Sequence, residues 1–207
     1  LAAISDRPTT LAFVKLVDGH ATYAFYDENT AGRMVSEADL PDATPDAVFV
    51  GGISLAVEPC AATYEALAAR YAANSVVMMD PNVRPSFIKD ADVFRARMIR
   101  MFAQCDIVKL SDEDLGWLMP DRSTDDAAQQ ILAGGVKLLC LTEGAKGVAG
   151  FTNAGNVFVP AQKADVVDTV GAGDTFNAGV LASLHKAGML TKDGIANLDV
   201  DTVQAAL

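Results

Sequence analysis

Four short apolar runs separated by helical patterns constrain the fold of this chain more than any other feature. The runs are rich in bulky or β-branched residues and span residues 47–50, 76–79, 107–110 and 136–141. Such runs are typical of strands buried on both faces of a sheet. Apolar residues at helical spacing lie between them, namely Tyr64, Leu67, Ala68 and Tyr71, then Val93, Phe94, Met98 and Met101. Strands that alternate with helices predict an α/β fold on a parallel sheet, because each parallel connection must cross the sheet face.

Two antiparallel pieces are predicted beside this parallel block. Residues 11–17 and 21–26 are strand-like and flank Asp18-Gly19, a dipeptide that favours a tight hairpin turn. We expect them to form a small β flap attached to the main body. Residues 148–152 and 157–160 form a second hairpin-like segment after the last parallel run. We expect this hairpin to extend the edge of the sheet.

The composition argues against two classes of partner. The chain has 16 basic and 27 acidic residues, for a net charge of −11, and no cluster of Lys and Arg offsets this balance locally. Because such a chain repels a polyanion, no nucleic-acid partner is expected. The longest stretch without a formal charge, residues 147–162, contains polar side chains, whereas a spanning helix needs about 20 mostly apolar residues. No membrane partner is expected either.

The cysteines and the first residues predict a cytoplasmic protein. Cys60, Cys105 and Cys140 are widely spaced and lie within or beside apolar stretches, with no CxxC pair. This pattern favours reduced core residues over a disulfide or a metal site. The first residues lack the basic and apolar regions of a signal peptide, so no secretion is expected.

Each predicted parallel strand runs into a polar or glycine-rich loop. These loops are residues 51–54, 80–84, 111–114 and 142–147. The carboxyl ends of parallel strands meet at one edge of a sheet, and the ligands of open α/β sheets bind there. We therefore expect the four loops to converge on one binding edge.

Residues 168–181 carry the most specific chemical signal in the chain. After Asp174 the apolar residues recur at helical spacing, so Gly171, Ala172 and Gly173 are predicted to form a turn onto a helix N-terminus. Such a turn offers free N–H groups and the positive end of the helix dipole to an anion, for which phosphate is the natural candidate. A carboxylate at this turn is placed to take the proton of an alcohol that attacks the phosphate.

Two other kinds of nucleotide-binding loop do not fit the residues of this turn. A Rossmann loop would need a third glycine where Phe176 stands. A Walker A loop fails as well, since no Gly-Lys pair is followed by Ser or Thr. A plain loop, with Asp174 as an ordinary acid in the first helical turn, stays open on spacing alone.

Residues 168–181 resemble, position by position, the C-terminal signature of the PfkB (ribokinase-like) carbohydrate kinases. Further segments resemble fructokinase-type members in the expected order, namely residues 7–14, 80–85, 109–115 and 142–147. The resemblance implies a ribokinase-like three-layer α/β fold with a central, mostly parallel sheet and a small β-strand flap. It implies one kinase domain over residues 1–207, with residues 8–30 contributing to the flap and with the family's N- and C-terminal parts absent from the sequence.

The resemblance also implies roles for individual residues. Asp174 corresponds to the catalytic base. The anion hole for the transferred phosphoryl group corresponds to Gly171, Ala172 and Gly173. ATP is expected to contact Thr142, Gly144, Gly147, Gly171 and Gly173. The sugar is expected to contact Asn82, Arg84, Asp174 and Tyr26. A monovalent cation such as K⁺ is expected near Asp168 and Val170.

The activity implied by the resemblance is transfer of the γ-phosphate of ATP, bound with Mg²⁺, to a hydroxyl of a free sugar, with fructose as the expected acceptor. One alternative acceptor is 2-keto-3-deoxygluconate. Its kinases carry an arginine after the flap aromatics, where this chain has Asp27, a charge expected to repel that acid. Other sugars or nucleosides stay open, and so does an inactive sugar- or nucleotide-binding relative. A homodimer through the flap is a further expectation.

Ser111 and Asp114 carry two interpretations. Their Ser-x-x-Asp spacing predicts a helix N-cap, which is the favoured interpretation. The resemblance places Asp114 near a hydrated magnesium ion, at a position where the family often has Glu. Lys146, in the loop after the fourth apolar run, is expected to be solvated rather than catalytic.

Overall fold

A computed structural model describes residues 4–17 and 20–207, and the strands of this part of the chain form two sheets. The small sheet consists of β1 (Leu11–Val17) and β2 (His20–Tyr26). The main sheet consists, in spatial and chain order, of β3 (Ala47–Gly51), β4 (Val76–Asp80), β5 (Ile107–Ser111), β6 (Leu138–Thr142), β7 (Gly147–Thr152) and β8 (Gly155–Pro160). Strands β3 to β6 are parallel, whereas β7 and β8 pair antiparallel. The main sheet is therefore mostly parallel, as predicted.

Helices cover both faces of the main sheet. They are α1 (Cys60–Tyr71), α2 (Ala91–Phe102), α3 (Asp112–Leu118), α4 (Thr124–Ala133), α5 (Ala172–Lys186), α6 (Lys192–Ala196) and α7 (Val200–Ala206). The side chains of β4 alternate between two cores. Val77 and Met79 pack with α1 to α4, whereas Val76 and Met78 pack with α5 to α7. This three-layer arrangement confirms the predicted fold class. Within the described ranges, no helix is long and apolar enough to cross a membrane.

The second predicted hairpin is formed by β7 and β8. Thr152 pairs with Gly155, so a two-residue connection joins the strands, and the Ala154 N–H donates to Thr152 Oγ1 at 3.1 Å. Because β7 also pairs with β6, this hairpin extends the sheet beyond its last parallel strand, as predicted.

The predicted flap is also observed, because β1 and β2 pair antiparallel along their described lengths. The predicted turn at Asp18-Gly19 lies outside the described residues. The flap packs on the main body through Phe25, whose ring centroid is 4.6 Å from that of Phe87. Phe87 follows β4 by a few residues, so the flap contacts the loop that leaves the centre of the sheet.

Two details of the predicted elements are wrong. Strand β6 begins at Leu138 rather than at Val136, because the N–H groups of Lys137 and Leu138 both donate to Asp106 O, at 2.8 and 3.0 Å, before the ladder starts. Val93 is 58% exposed and does not belong to the buried face of α2. Phe102 takes its place, since it lies two helical turns after Phe94 and is buried beside it in the core.

Burial controls the chemistry of the three cysteines. Cys60, Cys105 and Cys140 are free and buried, which confirms the predicted core positions. Burial raises the pKa of the Cys105 and Cys140 thiols to about 12. Burial also raises the pKa of the Cys60 thiol, which donates to the carbonyl oxygens of Ser54 and Val57 at 3.3 and 3.1 Å.

All three thiols should therefore react slowly with iodoacetamide in the folded protein at pH 8.5. The thiolate is the reacting species, and a pKa raised above its ordinary value keeps each group protonated at that pH. Labelling followed by peptide mass mapping measures the reaction at each cysteine, with a guanidinium-unfolded sample as the reference. Rapid and complete labelling of Cys105 or Cys140 in the folded protein would contradict this prediction.

Candidate active site

The amino end of α5 lies at the carboxyl-terminal part of the central strands. Gly171 precedes the helix with a φ of 79°, a left-handed conformation that side-chain-bearing residues rarely adopt. A Cβ built on Gly173 would lie 3.4 Å from Lys109 Nζ of β5 and 4.0 Å from Asp80 Oδ2 of β4. The predicted small-residue turn therefore meets the ends of β4 and β5.

Two backbone donors are available at this turn. The N–H groups of Ala172 and Thr175 donate to backbone carbonyls at 3.2 and 2.9 Å. Those of Gly173 and Asp174 have no hydrogen-bond partner among residues 4–17 and 20–207, and no side chain caps the helix. Free N–H groups at the positive end of a helix dipole form an anion-binding site. The exposed Asp174 carboxylate stands in the same helical turn.

A cavity of about 340 Å³ opens beside the turn. Its lining combines the loop after β6 with the start of α5, through Thr142, Gly144, Gly147, Ala172 and Gly173. Apolar side chains of Val159, Phe176 and Leu207 also line it. The structure thus brings together four of the five residues predicted to contact ATP. The fifth, Gly171, directly precedes the lining residues of the turn.

Glycine at two positions shapes one wall of this cavity. Gly144 has a φ of 54° and Gly147 a φ of 139°. A Cβ on Gly147 would stand 2.2 Å from Val159 O and 2.8 Å from Pro160 Cα, far inside any normal contact. Only glycine allows the loop after β6 to lie this close to β8.

A buried ionic cluster, formed by Asp80, Lys109 and Asn177, lies beneath the turn. Lys109 Nζ is 3.1 Å from Asp80 Oδ2, and Asn177 Nδ2 donates to the same oxygen at 2.8 Å. All three residues are buried. Because they belong to β4, β5 and α5, the cluster joins the three elements that meet at the site.

Sequence reasoning did not assign this cluster. One signal was present, since Lys109 is the single charged residue in the apolar run 107–110, and a buried lysine requires an anionic partner. Its partners were not identifiable in the same way. Asp80 and Asn177 are 97 residues apart, and only the folded chain shows that they meet.

Asn82 and Arg84, which were predicted to contact the sugar, lie in the loop after β4. The Asn82 N–H donates to Asp80 Oδ1 at 3.1 Å, and the Asn82 φ of 45° is unusual for a residue other than glycine. Arg84 Nη1 donates to the carbonyl oxygens of Asn82 and Val83 at 3.3 and 3.1 Å. The Asp80 carboxylate therefore holds both this loop and the turn at α5.

The predicted helix cap at Ser111 is confirmed. Ser111 Oγ accepts from the Asp114 N–H, and Asp114 Oδ2 accepts from the Ser111 N–H, each at 3.0 Å. Asp114 Oδ1 accepts from the Val83 N–H at 2.9 Å, so both carboxylate oxygens are used inside the protein. Lys146 is exposed and pairs with Glu143 at 3.1 Å, in agreement with its expected solvation.

Tyr26, also predicted to contact the sugar, is not brought to the turn. It is 64% exposed on the flap and lines a separate cavity of about 440 Å³ with Asp27 and Arg33. Asp27 is buried, and its Oδ1 lies 3.4 Å from Arg33 Nη1. The negative charge of Asp27, which was expected to repel a substrate carboxylate, is thus paired with Arg33 within the protein.

Asp168 and Val170 share one exposed turn, in which the Val170 N–H donates to Asp168 Oδ1 at 2.9 Å. The monovalent cation expected here stays a prediction. In the part of the chain that the structure describes, no group of three or more His, Cys, Asp or Glu side chains is arranged to hold a metal ion.

The open α/β sheet, with an uncapped helix N-terminus beside a cleft, has counterparts among known proteins. Residues 2–194 match the model of the pfkB family carbohydrate kinases. The chain therefore belongs to the PfkB family, and its three-layer architecture is the ribokinase-like fold of the fructokinase structures that it resembles.

Three similar proteins are fructokinases. The chain is 55% identical over 199 residues to the fructokinase of Rhizobium leguminosarum bv. trifolii, and the match covers 95% of this chain and 61% of that protein. The fructokinase of Vibrio cholerae O395, in its fructose-, ADP- and calcium-bound form, is 27% identical with a TM-score of 0.82, covering 98% of this chain and 66% of that one. The ATP-bound fructokinase of Xylella fastidiosa is 26% identical, with the same TM-score and the same coverage. The chain thus spans 61% to 66% of the length of these relatives.

The close approach of the backbone at Gly147 to β8 predicts a loss of stability when a side chain is added at this position. Gly147→Ala should lower the free energy of unfolding by about 1–3 kcal/mol, because the new Cβ meets the Val159 carbonyl and φ is unfavourable for alanine. Gly179→Ala is the matched control, since a Cβ there meets nothing within 4 Å and the exposed helical position should gain about 0.5–1 kcal/mol. Urea unfolding measures both variants. Equal stabilities of the two would contradict the packing described for the loop.

Proposed function

We propose that this chain forms the catalytic core of an ATP-dependent sugar kinase with fructose as its acceptor. The observation that carries this proposal is the turn at α5. There, two free N–H groups and the exposed Asp174 carboxylate stand beside a cavity lined by Thr142, Gly144 and Gly147. The fructokinases of similar sequence and fold, one bound to fructose and ADP and another to ATP, support the same function.

In the proposed reaction, Asp174 takes the proton of a sugar hydroxyl while the hydroxyl oxygen attacks the γ-phosphorus of ATP. The bond between this phosphorus and the bridging oxygen breaks, and ADP leaves with the electron pair. The N–H groups of Gly173 and Asp174 donate to the oxygens of the transferred phosphoryl group, where they stabilise negative charge. Since α5 fixes both donors, they need little rearrangement during the reaction.

The cavity beside the turn is the proposed nucleotide site. Its glycine-rich wall at Gly144 and Gly147 allows the backbone to approach the phosphates closely. Phe176 and Val159 supply an apolar surface on which a flat base can pack. Thr142, at the end of β6, adds a hydroxyl that donates to Leu110 O at 3.4 Å.

Mg²⁺ is proposed to enter with ATP as part of the substrate, where it neutralises phosphate charge. The carboxylates of Asp80 and Asp114 already accept hydrogen bonds within the protein, so the described residues do not form a resident cage for this ion. K⁺ near Asp168 and Val170 is likewise only proposed. No step above depends on a cation held by the protein.

The choice between fructose and 2-keto-3-deoxygluconate rests on the base of the flap. A keto-acid would need a cation available to its carboxylate. Arg33 is already engaged by Asp27 and donates through Nε to Glu58 O at 3.1 Å. Fructose is preferred because this guanidinium is occupied and because the similar proteins are fructokinases.

We also propose one kinase domain over residues 1–207, with a flap from residues 8–30 through which two copies form a homodimer. Leu11, Phe13 and Tyr26 expose apolar surface on this flap, and the rings of Phe13 and Tyr26 are in edge contact at 5.4 Å.

The net charge of −11 is the reason that no nucleic-acid partner is proposed. The free, buried cysteines support the proposed cytoplasmic location.

Asp174→Asn in the full-length protein tests the proposed base. The variant should keep its fold and ATP affinity but lose about 10²- to 10⁴-fold in kcat, the usual cost of removing a general base. Coupled ADP-release kinetics and calorimetry measure these quantities.

Asp193→Asn is the matched control for this variant. Asp193 is also an exposed acid in a first helical turn, but α6 lies at the opposite edge of the sheet, where Lys192 contacts Asp106 ahead of β5. Normal turnover is expected for this control. Normal turnover of a folded Asp174→Asn protein would remove Asp174 from its role, and an inactive wild-type protein that still binds sugar or nucleotide would favour the inactive relative.

Substrate choice is tested by parallel kinetics on the full-length protein. The kcat/KM for fructose should exceed that for 2-keto-3-deoxygluconate by at least about 10-fold, because the Arg33 guanidinium at the flap is engaged by Asp27 and a carboxylate left unpaired there costs binding energy. A preference for the keto-acid would overturn fructose as the acceptor and leave the kinase function in place.

A further inference from the structure

The ammonium of Lys109 has more hydrogen-bond donors than acceptors around it. An ammonium carries three N–H donors. Within residues 4–17 and 20–207, the partner that it contacts is Asp80, at 3.1 Å. The Lys109 side chain is only 7% exposed, so water has little access to the remaining donors. A buried cation with spare donors, next to the free N–H groups of Gly173 and Asp174, is an arrangement that favours an anion.

The carboxylate of Asp80, in contrast to the Lys109 ammonium, has several partners. It is paired with Lys109 Nζ and accepts hydrogen bonds from Asn177 Nδ2 and from the Asn82 N–H. Three groups thus share its negative charge, whereas the ammonium has one anionic partner. The positive end of the α5 dipole lies on the same side as the ammonium, because Gly173 is its neighbour. The electrostatic field at the turn is therefore expected to be positive.

We infer that Lys109 is a positioning residue for phosphoryl transfer: its ammonium lies beneath Gly173 and strengthens the hold of the turn on the γ-phosphate of ATP. This inference rests on the proposed kinase function. A purely structural role is the competing explanation, in which the ion pair only holds β4, β5 and α5 together.

Removing Lys109 alone would leave the Asp80 carboxylate buried without its cation, a change that is strongly destabilising and can prevent folding. The test therefore compares Asp80→Asn with Asp80→Asn/Lys109→Met, in the full-length protein. The amide at position 80 keeps an acceptor for the Asn82 N–H, and its nitrogen can donate to Asn177 Oδ1, a buried oxygen without a partner in the described structure, once the Asn177 amide turns over. The single variant keeps the ammonium without its anion, and the double variant removes both charges.

Calorimetry with the magnesium complexes of a non-hydrolysable ATP analogue and of ADP measures the effect. Adding Lys109→Met should weaken binding of the triphosphate at least about 10-fold, as expected for the loss of a nearby charge in a buried site, and should weaken binding of ADP less. The kcat for fructose should fall in parallel while the KM for fructose changes less than about 2-fold. Lys109→Gln in the same background, which keeps a hydrogen-bond donor without the charge, should behave like the methionine variant.

The control is the matched ion pair at the opposite edge of the sheet, where Lys192 Nζ lies 2.5 Å from Asp106 Oδ1. Adding Lys192→Met to Asp106→Asn should leave the affinity for both nucleotides unchanged. Equal affinity and kcat with and without Lys109, in folded proteins, would overturn the inference while the kinase function stands. An equal loss of nucleotide affinity when Lys192→Met is added to Asp106→Asn would overturn the inference as well. A wild-type protein that binds no triphosphate would overturn the proposed function itself and the inference with it.

Discussion

The carboxylate of Asp80 is the single group on which the geometry of the site depends. It forms an ion pair with a lysine of β5 and accepts hydrogen bonds from an asparagine of α5 and from the backbone of its own loop. This arrangement satisfies a buried carboxylate and a buried ammonium together, and leaving either unpaired would cost several kcal/mol. The positions of the α5 turn and of the Asn82 loop are thus consequences of one buried charge.

The turn at α5 can bind a ligand because two of its backbone N–H groups have no partner among the described residues. The first N–H groups of a helix have no partner within the helix, and a side chain of Ser, Thr, Asp or Asn often caps them. Here Gly171 takes the position that Ser, Thr or Asp usually occupies, so two N–H groups stay available to a ligand. Gly147 has a comparable role across the cavity, where the absence of a side chain brings two backbone segments together.

Much of this architecture could be predicted from residue patterns. Periodicity identified the parallel strands and both hairpins, because burial on two faces and tight turns leave strong local signals. The cap at Ser111 followed from its spacing to Asp114. The ionic cluster could not be found in this way, since it depends on which distant side chains meet. Asp27 and Arg33 are close in sequence, but their pairing depends on the non-periodic backbone between them, for which periodicity carries no signal. Periodicity also misplaced Val93, because adjacent helical residues lie about 100° apart and only Phe94 faces the core.

The order of the strands has a consequence for how the molecule folds. Every neighbour in the main sheet is also a neighbour along the chain, so each pairing closes only one crossover or one hairpin-like connection and the sheet can grow strand by strand. The link between Asp80 and Asn177 is different, because it joins residues 97 positions apart. The sheet is therefore expected to assemble before α5 docks on it. During refolding, we expect the sheet to form early and the turn at α5 to reach its final position late.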